Sequence, residues 1–472
     1  MAEDNSSDAI KALGIPLLEK NEGGVKDAEE PKRSLFSIPK ELACVLVLSN
    51  TIMGAGILGL PHAFAKTGLV VGVVLLCLSA FLSGMGLHML AQSARTVGVY
   101  PSSIYKTTAA ARPAAAPLID LAVALKCWGV ATSHLVVVAD MGPRALRGLA
   151  PGVAQGALWL RRGPWVTAAA LGLAPLAAAR DLRALRHTSA LAVAFVLFAT
   201  GLSVAYLFEL YVPACLLRGG GGREAATAFH LGGGAGGVGG GPACRGSVGP
   251  AEGWISTLDV LSVYVFAFTC AQNIFPVAND LRYRPKKTVD GVIYTCIGGS
   301  LTIYLIFAIS GYLTFGDNVA SDIFESYPNS KLVTLMRLFS ALMVCFCFPL
   351  QAHPARNSIL SLIKVFGSQS MSNAVANGSS FAHYIVSFMI VAVSWVIALN
   401  VSDLGLVQSV IGATGSTIVT LILPGLVYSN INFAPQDKQN PWKKTYAKFH
   451  MWLGVLIIPV CLTFIFFFNG EG

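Results

Sequence analysis

Apolar stretches of membrane-spanning length recur along most of the chain, separated by short polar turns. An α-helix needs ~20 apolar residues to cross about 30 Å of hydrocarbon. About eleven runs meet that length: 41–66, 69–94, 117–142, 163–180, 188–212, 254–281, 288–315, 331–364, 382–400, 403–428 and 447–468. The fourth is the weakest, being Ala-rich and bounded by Arg161, Arg162 and Arg180. The pattern predicts an all-α integral membrane protein with about eleven transmembrane helices, occupying residues 41–468.

Two runs contain residues that break a helix. The first holds Ser49-Asn50-Thr51-Ile52-Met53-Gly54-Ala55-Gly56-Ile57-Leu58-Gly59-Leu60-Pro61, with three glycines and a proline where a membrane helix is otherwise regular. The sixth is interrupted around Ala271 to Pro276. An unpaired backbone N–H or C=O in hydrocarbon costs several kcal/mol, so such breaks persist only against protein or a water-filled cavity. A broken helix offers N–H groups at one half and C=O groups at the other, a pairing that holds a carboxylate and an ammonium or cation. Paired interruptions in corresponding spans point to an inverted-repeat transporter site. Small residues also pack membrane helices closely, the competing reading for Gly54, Gly56 and Gly59.

Composition agrees: 54% hydrophobic residues, 12% charged residues and a mean hydropathy of +0.64 depart far from a soluble domain. Residues 1–40 are polar without an apolar core, which predicts a disordered cytosolic tail rather than a cleavable signal or a folded domain. With that tail inside, 22 of the 33 Lys/Arg fall on the cytosolic side. The positive-inside bias therefore places the N-terminus in the cytosol. The net charge of +9 is topogenic on this reading and calls for no nucleic acid.

Residues 213–253 form a Gly-rich connection that cannot bury a core, so a flexible outer loop is expected. Eight of the ten cysteines lie in or at the ends of apolar spans; Cys215 and Cys244 bracket this loop instead. An oxidising compartment on that face would join them in a disulfide.

Four motifs resemble the sodium-coupled neutral amino acid transporter family of the amino acid/auxin permease superfamily. They are Leu48 to Pro61, Phe266 to Leu281 (FAFTCAQNIFPVANDL), Arg337 to Ser358 with both prolines and the second arginine, and Val410 to Tyr428. The resemblance implies two inverted five-helix repeats plus an eleventh helix, with an amino acid bound at the bilayer midplane. It implies that Thr51, Ile52, Met53, Gly54 and Ala55 wrap the substrate's α-groups through backbone atoms, with Gly56 giving close approach. Phe266 and Phe268 become candidate pocket walls. Asn50 is placed toward a sodium ion.

Two residues bear on the coupling ion. Where sodium-coupled members carry a threonine hydroxyl, this chain has Cys345 and Cys347, and a thiol is a poor ligand for a hard cation. His134, an ionisable group inside the third span, is a candidate for proton coupling. The coupling ion, sodium or proton, stays open at this point, as does a plasma membrane or vacuolar/lysosomal location. No cofactor is implied, and the partners expected are an amino acid and the lipid bilayer. An amino-acid sensor is the second class. An enzyme is not expected, since HExxH, GxSxG, P-loop and Cys/His metal spacings are all missing.

Overall fold

The computed structural model describes residues 39–150, 152, 157–179, 186–210, 248, 253–328, 330–401, 403–431 and 441–467, and among these every regular element is helical. The first span is split: α1 (Lys40–Ile52), a 3-10 turn (Ala55–Ile57) and α2 (Leu60–Thr67). Then follow α3 (Leu69–Val97), the short α4 (Ile104–Ala111), α5 (Ala116–Leu149), α6 (Arg162–Ala177) and α7 (Arg186–Ala205). The sixth span is also split, into α8 (Trp254–Ala267), a 3-10 turn (Ala271–Asn273) and α9 (Ile274–Asp280).

The remainder comprises α10 (Lys286–Phe315), α11 (Ile323–Ser326), α12 (Lys331–Phe366), α13 (Gln369–Ala376), α14 (Ser380–Asn400), α15 (Leu404–Ile411), α16 (Leu423–Asn430) and α17 (Pro441–Phe467). Between α15 and α16 the helix continues through two π-helical segments, Gly412–Ser416 and Ile418–Ile422. All eleven expected spans therefore fall on helices. Nine helical stretches among the described residues are long and apolar enough to cross a membrane, the split sixth span (Ser256–Asp280) among them. The other two expected spans differ for stated reasons: the first is cut by its break, and α6 has only 16 residues.

Local chemistry sets the element ends. The Ser330 hydroxyl accepts from the Val333 N–H and the Asp403 carboxylate from the Leu406 N–H, each satisfying an orphan donor at a helix start. Asp403 is thus a helix cap. Pro61 stands in the first turn of α2, where its missing N–H costs no intrahelical bond, so the chain resumes its helix there. α3 stops at Gly98, whose φ of +67° few other residues adopt.

Long-range polar contacts fix the bundle. Arg356 of α12 is fully buried and donates to the Ala177 carbonyl at 2.6 Å and the Ala179 carbonyl at 3.0 Å, holding the end of α6. It also donates to the Ser387 hydroxyl of α14, so this arginine anchors three helices. Asp120 is 1% exposed and accepts from the Ser358 hydroxyl, while Asp140 pairs with Arg162 at 2.9 Å.

Tyr304 of α10 ties the two breaks together. Its buried hydroxyl lies 2.6 Å from the Ile52 carbonyl at the end of α1 and 3.1 Å from the Ala267 carbonyl at the end of α8. Both carbonyls lose their helical partners where the helices stop, and this one hydroxyl serves both. Tyr304→Phe leaves both without this donor and should destabilise the protein by about 1–3 kcal/mol. Chemical denaturation in detergent, compared with the conservative Phe307→Leu as a packing control, measures it.

Candidate functional site

The breaks in the first and sixth spans face each other across a cleft lined by Thr51, Ile52, Gly54, Gly56, Lys126, Val130, His134, Phe266, Thr269 and Gln351. The space between the atoms is about 250 Å³ when open solvent is included, and the part enclosed by the lining holds only about 10 Å³, so the two breaks are packed closely together in this structure. None of the described lining residues carries a carboxylate.

Polar side chains brace the backbone on both sides of the cleft. The Thr51 hydroxyl donates to the Val47 carbonyl and accepts from Asn273 Nδ2 at 2.8 Å, joining the first break to the sixth. Asn273 Nδ2 also reaches the Leu350 carbonyl at 3.4 Å. That carbonyl is free because Pro354, four residues on, has no N–H to donate. Gln272 Nε2 donates to Gln351 Oε1 at 3.2 Å, and the Ser83 hydroxyl donates to the Phe268 carbonyl at 2.7 Å. The Tyr304, Asn273 and Ser83 side chains thus satisfy backbone carbonyls where the helical ladder fails.

The glycines are needed for close approach. A Cβ at Gly54 would lie 3.1 Å from His134 Nε2, and one at Gly56 would lie 3.2 Å from the Phe266 ring. A Cβ at Gly59 would meet Gln408 Oε1 at 2.9 Å. Helix packing and ligand approach coincide at Gly54 and Gly56, because the neighbours they admit are themselves cleft residues.

His134 is 1% exposed, and neither ring nitrogen has a hydrogen-bond partner. A neutral imidazole has one donor and one acceptor nitrogen, and leaving both unmet in a buried site costs free energy. Its place beside Gly54 aims that unmet capacity at the broken backbone. Lys126, two helical turns earlier on α5, also lines the cleft.

Asn50 stands outside the cleft lining. Cys347 Sγ donates to its Oδ1 at 2.9 Å, and its Nδ2 donates to the Ser189 hydroxyl at 3.2 Å. The oxygen the family resemblance directs to sodium is occupied by a thiol, and sulfur is a poor partner for a hard cation. Cys345, by contrast, is half-buried against the apolar core.

The other expected site residues divide. Thr51, Ile52, Gly54, Gly56 and Phe266 line the cleft. Met53 is buried in the core, and Phe268 packs edge-on against Tyr304 with ring centroids 5.2 Å apart. The Ala55 backbone lies in the 3-10 turn. Cys215 and Cys244 lie outside the described residues, as do residues 1–38; the other eight cysteines are free thiols. Tyr304, Thr269 and Gln351 were not anticipated. A tyrosine inside an apolar run and a glutamine between two prolines were the available signals, since each must find a polar partner in hydrocarbon.

The segment between α10 and α12 packs against the first span just after its break. The Ile323 N–H donates to the Leu58 carbonyl at 3.4 Å, and the Val319 carbonyl lies 3.0 Å from His62 Nδ1. Arg337 donates to the Phe324 and Tyr327 carbonyls, and Arg144 pairs with Glu325. Asp322 caps α11 through Oδ1, while its buried Oδ2 has no hydrogen-bond partner. Burial raises its pKa to about 7, with the nearby carboxylates of Glu325 and Asp140 adding to the shift. The Phe324 N–H and the Arg144 guanidinium act in the opposite direction.

The chain resembles known proteins over most of its length. A family profile described as transmembrane amino acid transporter protein matches residues 42–467. The vacuolar amino acid transporter 5 of Schizosaccharomyces pombe is 33% identical over 411 residues, covering 86% of each chain. The vacuolar amino acid transporter 6 of Saccharomyces cerevisiae is 28% identical over 464 residues, covering 89% of this chain and 97% of that one.

Two measurements test the geometry. Gly54→Ala forces its new methyl onto His134 and should reduce amino acid uptake about tenfold or more at unchanged expression; near-normal uptake would remove this backbone from the site. Asp322 binds its proton more tightly in the folded state, so its stabilising contribution is present below pH ~4 and lost as pH rises through about 7. Melting temperatures at pH 5.5 and pH 8 should therefore differ in the wild type, and the difference should shrink in Asp322→Asn.

Proposed function

The chain belongs to the transmembrane amino acid transporter family, and on that premise we propose that it is a proton-coupled carrier of amino acids in a vacuole-type membrane. The observation that carries this reading is His134, buried with both nitrogens unpartnered and set against Gly54 at the broken first helix. The substrate's α-carboxylate sits on the N–H groups of the Gly54–Gly56 turn beside that imidazole. Its α-ammonium turns to backbone carbonyls at the break of the sixth span.

Coupling follows from linkage. A protonated His134 holds the carboxylate more tightly than a neutral one does, so the carboxylate must tighten the proton by the same factor. Proton and amino acid then occupy the cleft together, which is what symport requires. Sodium is the weaker candidate, since Asn50 Oδ1 is engaged by Cys347. The printed names of the fungal relatives support a vacuolar membrane. The Lys/Arg distribution supports a cytosolic N-terminus. An acidic lumen would supply the proton gradient and drive amino acid toward the cytosol.

Proteoliposomes with a proton gradient or a sodium gradient imposed separately test this. Uptake should follow the proton gradient alone, and His134→Gln should cut the proton-driven component about tenfold. Sodium-driven uptake with no response to protons would overturn the coupling assignment.

A further inference from the structure

We infer that Lys126 selects the substrate's side chain, and that the cleft accepts best an amino acid whose side chain ends in a carboxylate. This rests on the reading of the cleft as the amino acid site. Lys126 is 2% exposed on α5 and lines the cleft, and it has no hydrogen-bond or ion-pair partner among the described residues. Its neighbours among the ionisable side chains are His134, Cys127 and Cys270.

The position is built rather than incidental. Gly415, in the first π-helical segment after α15, lies against the lysine stem: a Cβ there would come within 2.5 Å of Lys126 Cβ and 3.1 Å of its Cγ. π-Segments concentrate at functional sites. Here one sets a glycine where only a missing side chain leaves room for the lysine.

Charge and spacing define the ligand. Lys126, Val130 and His134 form one stripe of α5 at i, i+4 and i+8, spanning about 12 Å. A substrate whose α-carboxylate lies by His134 and Gly54 extends its side chain along Val130 toward the lysine. A zwitterion brings no net charge, so it leaves the amine uncompensated, and no lining residue supplies a carboxylate. An uncompensated buried charge is costly, and a second carboxylate on the substrate removes that cost. A carboxamide oxygen accepts a hydrogen bond from the amine and ranks second. An aliphatic side chain gains nothing there, and a cationic one is repelled.

The test is competition against a labelled amino acid in proteoliposomes of the full chain, with glutamate, glutamine, leucine and arginine as competitors. In the wild type, glutamate should compete at roughly a tenth of the leucine concentration or less, and arginine should not compete. Lys126→Met should lower the glutamate-to-leucine ratio about tenfold, and Lys126→Arg should preserve more of it. Gly415→Ala displaces the lysine without removing its charge and should lower the same ratio. Should Lys126→Met fail to insert, the wild-type ranking, measured also by ligand-induced thermal stabilisation, and Gly415→Ala still decide. Glutamate competing no better than leucine, or Lys126→Met and Gly415→Ala weakening all competitors equally, would overturn the role of Lys126. Uptake of no amino acid at all would instead overturn the transporter reading beneath it.

Discussion

A helix that stops inside a membrane strands carbonyls and N–H groups where no water can reach them, and in this protein two helices stop at the same depth. The Tyr304 hydroxyl meets the stranded carbonyls of Ile52 and Ala267 together, at 2.6 and 3.1 Å. Around it, Asn273 links Thr51 to the carbonyl that Pro354 releases, and Ser83 holds the Phe268 carbonyl. These side chains satisfy the break on the protein-facing side only. The other side opens on the cleft, where Gly54 and Gly56 bring bare backbone against His134 and Phe266. The breaks are thus braced from behind, while their glycines face the cleft in front.

The cleft has an unbalanced set of ionisable side chains. Two basic side chains, His134 and Lys126, line it, and no described lining residue is acidic. In a low-dielectric interior such groups interact over several ångströms, so occupancy by an anion changes both. On the reading proposed above, one amino acid carries a proton through His134 while its side chain is read by Lys126. The segment between α10 and α12 bonds Ile323 to Leu58, so it is tied directly to the first span next to its break. Hinge-like breaks next to a packed segment are the ingredients of alternating access.

Much of this was legible in the sequence, because the strongest signals are those the membrane enforces. Span length, the Gly-Pro interruption at Gly54 to Pro61 and the second interruption near Pro276 all express the cost of unpaired backbone, and the eleven expected spans fall on helices. Membership in an amino acid transporter family likewise follows from motifs readable in the chain. What remained hidden depends on which residues meet across the bundle. Phe266 and Phe268 are two residues apart at the end of one helix, yet one faces the cleft and the other packs on Tyr304, because α8 stops at Ala267 and the chain turns there. Asn50 reads as an available oxygen in sequence; only the fold brings Cys347, 297 residues away, to its Oδ1. The burial of Asp120 depends on its contact with Ser358 of α12.

The most direct test is a cryo-EM reconstruction of the full chain in lipid nanodiscs at acidic pH with saturating glutamate. Ligand density should lie between the Gly54–Gly56 turn and Phe266, with the α-carboxylate within hydrogen-bond distance of His134 and the side chain directed at Lys126. Density at any other place in the bundle, with this cleft filled by protein side chains, would contradict the claim that the paired breaks form the substrate site.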